Sequence, residues 1–142
     1  MASNVFSVGR DCQLVVMGAF GRIDLSHVTA FEARQVTASV RVDRIDGSQL
    51  AAELPKGWDG HFELERGGSA VDDFIARVEA AYFGGRVVAT GTLYQYVTEA
   101  DGSVSTYQFD GVVFKLAQAG TWRGDQSVKQ RLEFFAASRR RV

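Results

Sequence analysis

The chain has 142 residues, 46% of them apolar and 23% charged, and a formal net charge of −1. That length suffices for one hydrophobic core, and the composition excludes a disordered or fibrous chain. The near-zero charge excludes a global pull toward nucleic acid, and the single cysteine, Cys12, excludes an intramolecular disulfide and a cysteine-based metal site.

One proline against fifteen glycines favours many strands joined by tight turns, in a single domain over residues 1–142. Residues 1–10 have neither a basic nor a continuous apolar leader region, and no stretch approaches the length of a membrane span. The chain is therefore expected to be made in the cytoplasm and to stay soluble, with no membrane partner. Residues 13–17, Gln-Leu-Val-Val-Met, read as a first strand closed by Gly18, with a turn into a second segment at Phe20, Gly21 and Ile23. Residues 36–45 alternate, with Val36, Ala38, Val40 and Val42 on one side and Thr37, Ser39, Arg41 and Asp43 on the other, so a strand with one wet face is predicted. Asp46-Gly47 ends it. Residues 48–57 read as a long connection with a helical turn before Pro55.

Phe62 and Leu64 then alternate with His61, Glu63 and Glu65 in a second amphipathic strand, broken by Gly67-Gly68. Ser69 with Asp72 three residues later has the spacing of a capping box. Val71, Phe74, Ile75, Val78 and Tyr82 form a helical stripe that ends at Gly84-Gly85, read as a C-cap. Strands follow over 87–98 and 104–117, and Asp101-Gly102 between them is a hairpin signal. Gly111 marks a bulge or bend, and Ala119-Gly120 and Gly124-Asp125 a further turn. The last strand, 127–137, sets Val128, Gln130, Leu132 and Phe134 against Lys129, Arg131 and Glu133. Residues 138–142 read as a basic tail. One helix cannot cover so much sheet, so the predicted fold is mainly β: two packed antiparallel sheets in a sandwich or open barrel, flanked by the helix.

Charge is unevenly spread. Residues 43–79 hold nine acids against four bases, and residues 80–142 eight bases against five acids, a polarity that suits head-to-tail stacking of identical subunits or simple surface scatter.

Catalytic signals are few. His27 and His61 have no metal-ligand spacing, Cys12 has no nucleophile context, and 84–91 lacks a phosphate-loop ending. Glu63 and Glu65, like Asp72 and Asp73, have nothing that fixes a substrate between them. Tyr94, Tyr96, Tyr107 and Phe109 lack the basic row that base stacking on nucleic acid requires. No enzyme, cofactor or metal is expected.

Three segments together resemble the tail tube proteins of contractile-tailed bacteriophages, within the superfamily that includes type VI secretion tubes. They are residues 56–66, Lys-Gly-Trp-Asp-Gly-His-Phe-Glu-Leu-Glu-Arg; the helix 69–83 opening on Asp72-Asp73-Phe74; and residues 120–130, Gly-Thr-Trp-Arg-Gly-Asp-Gln-Ser-Val-Lys-Gln. The resemblance spans roughly residues 13–140. It implies a tail-tube-like fold, hexameric rings stacked into a hollow tube, and protomer sheets joined into one barrel around a channel for double-stranded DNA. It also implies, as partners, other copies of the chain, a tail sheath protein, a tape measure protein, and baseplate and tail terminator proteins, with the product residing in a virion tail.

On that resemblance Thr37, Ser39, Arg41, Asp43, Lys129, Arg131 and Glu133 are candidates for lining the lumen. Ser48, Gln49, Leu50, Glu53, Leu54 and Pro55, with the N-terminal segment, are candidates for ring stacking. Arg139, Arg140 and Arg141 are left between sheath, DNA and solvent. A channel that passes DNA needs mixed or acidic charge, since a basic one retains phosphate. The alternatives are the tube of a type VI secretion or pyocin-like injection machine, and a monomeric ligand-binding β-barrel.

Overall fold

The computed structural model describes residues 6–18, 20–23, 25, 27–86 and 88–142. After a short 3-10 turn, Gly9–Asp11, come β1 (Cys12–Gly18), β2 (Gly21–Ile23), β3 (Val28–Asp43), β4 (Gln49–Glu65), helix α1 (Ala70–Gly85), β5 (Gly91–Thr98), β6 (Val104–Gln118), β7 (Lys129–Ala136) and β8 (Ser138–Arg141). The strands form one antiparallel path, β2-β1-β5-β6-β7-β4-β3, with β8 also paired to β6.

Strand β6 folds this path on itself. Its first half pairs with β5 and β8, its second half with β7. The switch falls at Gly111, whose φ of 62° lies in the left-handed region, and the β5 register slips by one residue there. A side chain at that position would press on the Cβ of Ala137, where the neighbouring strand passes from β7 into β8. The two halves of the sheet then face each other across one core. Val16, Leu93, Phe109 and Val112 come from one side and Phe62, Leu64, Leu132 and Phe134 from the other. Phe109, fully buried, has ring centroids 5.6 Å from Phe134, 6.1 Å from Trp58 and 6.4 Å from Phe31, which locks the halves together. The expected β-rich body with one helix is thus present, and Phe62, Leu64, Leu132 and Phe134 are inward as their alternation predicts.

The helix plugs the end of the core that β5 leaves open. Val71 and Phe74 are buried, and Phe74 packs edge-on against Phe114 at 5.7 Å. The stripe fades toward the C-terminus, where Tyr82 and Phe83 stay exposed. Two local expectations fail here. Ser69 makes no side-chain cap; its hydroxyl donates instead to Asp73, while Asp72 is taken by Arg66 and Gln130. The helix runs through Gly84-Gly85, and Arg86, at φ 58°, is the left-handed cap.

Residues 48–57 are not a connection with a helical turn. Residues 49–57 belong to β4, paired with β3 from Val36↔Gly57, across a bulge at Lys56, through Thr37↔Pro55 to Asp43↔Gln49, and Ser48 lies in the turn before it. Pairing of β4 with β7 begins only at Trp58. From Gly57 outward β4 has β3 as its partner and no second strand, so Pro55 costs the sheet no inner ladder. The basic tail is likewise a strand: β8 continues the register of β7 along β6, with Phe109↔Arg139 and Gln108↔Arg140 paired. Val87, the expected start of the strand now seen from Gly91, lies outside the described residues, as do residues 1–5 of the N-terminal stacking candidate.

Candidate functional site: a charged sheet face and a protruding arm

Strict alternation gives the half-sheet β6-β7-β4-β3 one apolar and one charged face. Opposite the core, Glu32 and Arg34 of β3 stand beside His61 and Asp59 of β4, Glu63 beside Arg131 of β7, and Glu133 beside His61 on one flank and Lys115 of β6 on the other. The charges pair across strands. Arg34 Nε donates to Asp59 at 3.1 Å, Arg131 lies 3.9 Å from Glu63 and 3.8 Å from Glu133, and Lys115 lies 4.0 Å from Glu133. Asp59 raises the pKa of Arg34, chiefly through that hydrogen bond. These exposed pairs contribute little stability each. Their effect is to leave a shallow trough of about 560 Å3 whose positive groups are already engaged by carboxylates.

The second feature is the ribbon 36–57, formed where β3 and β4 run past the body. One face carries Ala38, Val40 and Val42 opposite Leu54, Ala52 and Leu50. Val40, Val42, Leu50 and Leu54 are between 43% and 50% exposed, so this apolar face is uncovered in the single chain. A two-stranded ribbon in water is marginal, and an uncovered apolar face marks a contact surface. The other face is organised around Glu53: Thr37 Oγ1 donates to one carboxylate oxygen at 2.7 Å and Ser39 Oγ to the other at 2.6 Å. Those two bonds, Ser39 first, lower the Glu53 pKa. At the tip, Asp46 Oδ1 accepts from both the amide and the hydroxyl of Ser48, and Gly47 supplies the positive φ of the turn.

The seven lumen candidates do not share one face. Lys129, Arg131 and Glu133 pair with Glu65, Glu63 and His61 on the charged face, half-exposed or exposed. Along β3, Thr37, Ser39, Arg41 and Asp43 have the parity of Phe31 and Ala33, the opposite side of the sheet. They share the ribbon with the stacking candidates Ser48, Gln49, Leu50, Glu53, Leu54 and Pro55, pairing with Pro55, Glu53 and Gln49, while Leu50 and Leu54 pair with Val42 and Ala38 on the apolar face. Glu32, Arg34, Asp59, His61, Glu63 and Lys115 complete the charged face. Alternation of Glu32 and Arg34 with Phe31 and Ala33 was the available signal for the first two. The arginines of β8 are occupied within the chain: Arg140 donates to Asp110 at 3.0 Å, and Arg141 to Ser105 at 3.3 Å.

Among the described residues no cluster of His, Cys, Asp and Glu is arranged to hold a metal ion, and no helix is long and apolar enough to cross a membrane. No protein-family model matches the sequence, and no curated protein matches it. Solved structures do. A chain from the sheath-tube complex of an extracellular contractile injection system (PVC) in the extended state superposes with a TM-score of 0.64 at 9% identity, covering 92% of this chain and 88% of that one. A chain from the PVC sheath/tube terminator gives 0.65 at 9% identity, covering 92% and 93%. A chain from the tube-terminating cap of the anti-feeding prophage (AFP) gives 0.66 at 9% identity, covering 100% and 94%. At such identity the likeness is one of fold over nearly the whole of each chain: this protein has a contractile tail-tube fold.

Proposed function

We propose that the chain is a structural, non-enzymatic subunit that closes into hexameric rings and stacks into the inner tube of a contractile tail, around a channel that passes DNA. The observation that carries this reading is the half-sheet β6-β7-β4-β3. Among the described residues its two outer edges, β3 and the second half of β6, lack strand partners over most of their length, and its exposed face is charged while the other is core. Open edges of that length are aggregation templates unless something pairs them. Strand direction alternates across the half-sheet, so rotation about a common axis brings the β6 of one copy antiparallel to the β3 of the next.

Six copies contribute about 24 strands. At ~4.8 Å spacing and ~40° tilt they make a barrel of roughly 48 Å backbone diameter, with a bore of about 35–40 Å once side chains are counted. In this arrangement Lys129, Arg131 and Glu133, with the rest of the charged face, line the channel. The ribbon 36–57, which carries Thr37, Ser39, Arg41, Asp43 and the stacking candidates, reaches a neighbouring copy. Sheath, tape measure, baseplate and terminator proteins are the partners this role requires, and a virion tail is its place.

A second reading is favoured by the neighbours themselves, which come from injection systems and include a terminator and a cap. On it the chain serves an injection machine with another cargo, or ends a tube instead of repeating along it. Electron microscopy of the purified protein decides between these and the monomeric barrel. Stacked hollow rings of the stated bore support the tube, isolated single rings support the terminator, and a monodisperse monomer at high concentration overturns both.

A further inference from the structure

Arg139 is the half-buried arginine of β8; Arg141, on the same face, stays exposed at the strand's end. Arg139 pairs with Phe109 across the ladder and so has the parity of the core. Its guanidinium carbon lies 4.0 Å from the centroid of Tyr107, 4.6 Å from Trp58 and 5.7 Å from Phe109. No carboxylate among the described residues pairs with it, and its buried Nε has no hydrogen-bond partner there. A cation held by three aromatic faces and no acid is an arrangement of shape and cation–π attraction, for which the flat guanidinium is better suited than an ammonium.

What it holds is the root of the ribbon. Trp58 is the last residue of β4 paired with β7, opposite Ala136. The next residue outward, Gly57, has φ 127°, is buried, and sits so close under Ala136 and Phe135 that a Cβ would meet the Ala136 carbonyl oxygen at 2.6 Å. Here too the β3–β4 register slips, between Val36 and Thr37. A bulge beside a positive-φ glycine is where a two-stranded ribbon bends most easily. Beside this bend the Arg139 guanidinium lies over Trp58 and over Tyr107 of β6, and so ties the two.

We propose that Arg139 is a positioning residue for the 36–57 ribbon: by clamping Trp58 from the C-terminal strand, it fixes the angle at which the ribbon leaves the body and hence where its apolar face meets the next copy. This rests on the ribbon being the contact between copies, but the clamp can be tested apart from that role. Spin labels at Ile45→Cys on the ribbon tip and Asp101→Cys on the β5–β6 turn, in a Cys12→Ser background diluted into unlabelled chain, report the ribbon angle as a distance distribution.

The clamp requires a narrow distribution for Arg139 and at least a twofold broader one for Arg139→Ala. Arg139→Met, which keeps length and apolar packing, should broaden it while the thermal midpoint stays close to that of the parent, and decides the matter if Arg139→Ala fails to fold. Arg139→Lys should recover only part of the narrowing. An unchanged distribution in Arg139→Met overturns the clamp. If the distribution broadens while assembly is unaffected, the clamp stands and the contact role of the ribbon fails.

Discussion

Glu53 shows how one exposed side chain can organise a surface. Its carboxylate accepts one hydroxyl from Ser39 and one from Thr37, which favour the ionised form and lower its pKa. A depressed carboxyl pKa stabilises the folded chain above the unfolded value of about 4.3, and that contribution disappears as pH falls below it through the folded pKa. Carboxyl carbon NMR titration should therefore place the Glu53 midpoint below the ordinary glutamate value, and Ser39→Ala should move it back up. An identical midpoint in the variant would remove the network. This arrangement was only half legible in the sequence. The alternation of Thr37 and Ser39 exposed one polar face, whereas Glu53 seemed to sit in a loop, so nothing joined the three. Arg139 was illegible for a related reason: in a run of three arginines charge suggests solvent, and only the pairing with Phe109 and the aromatic rings around it show that this one is half-buried.

At the scale of elements, the readable pieces were those with one buried and one wet face. Phe62-Leu64 and Leu132-Phe134 alternate because each strand borders the core, and the helix announces itself through Val71 and Phe74 for the same reason. The ribbon does not border the core, so its second strand follows no burial pattern: Ala51-Ala52 and Pro55 look like breaks because no packing constrains them. That independence predicts how the molecule tolerates surgery. Replacing residues 41–51 by an Asn-Gly turn joins Val40 to Ala52, which are cross-strand partners, and removes no core residue. The shortened chain should keep its thermal midpoint within about 4 °C, since a loss of ~1 kcal/mol shifts a domain of this size by a few degrees. Light scattering of the same protein should show stacking lost. Stacks of normal length would mean that the ribbon does not join copies; a collapse of the midpoint would mean that it supports the body.

At the scale of the whole molecule, the proposed tube raises the question of what a channel wall of this composition would do to a polyanion. Three bases on the charged face have an acid within reach: Arg34 has Asp59, Arg131 has Glu63 and Glu133, and Lys115 has Glu133, while Lys129 at the start of β7 makes no ion pair among the described residues. Duplex DNA would have to compete with carboxylates for most of these cations, so little counterion release is gained and retention should be weak. Glu63→Lys with Glu133→Lys removes the competitors and adds two bases at positions that are each 43% exposed, where the fold tolerates charge. In a ring of six the change amounts to about 24 charges pointing into one bore, where low-dielectric walls focus their field. Co-sedimentation with linear duplex DNA should then show no retention by the parent assembly at about 50 mM salt. The variant should bind strongly there and release by roughly 200 mM, as phosphate contacts of that number require. Equal binding by the two proteins would mean that the charged face does not line the channel, and the wall would then have to be sought on the opposite face of the half-sheet or on the ribbon.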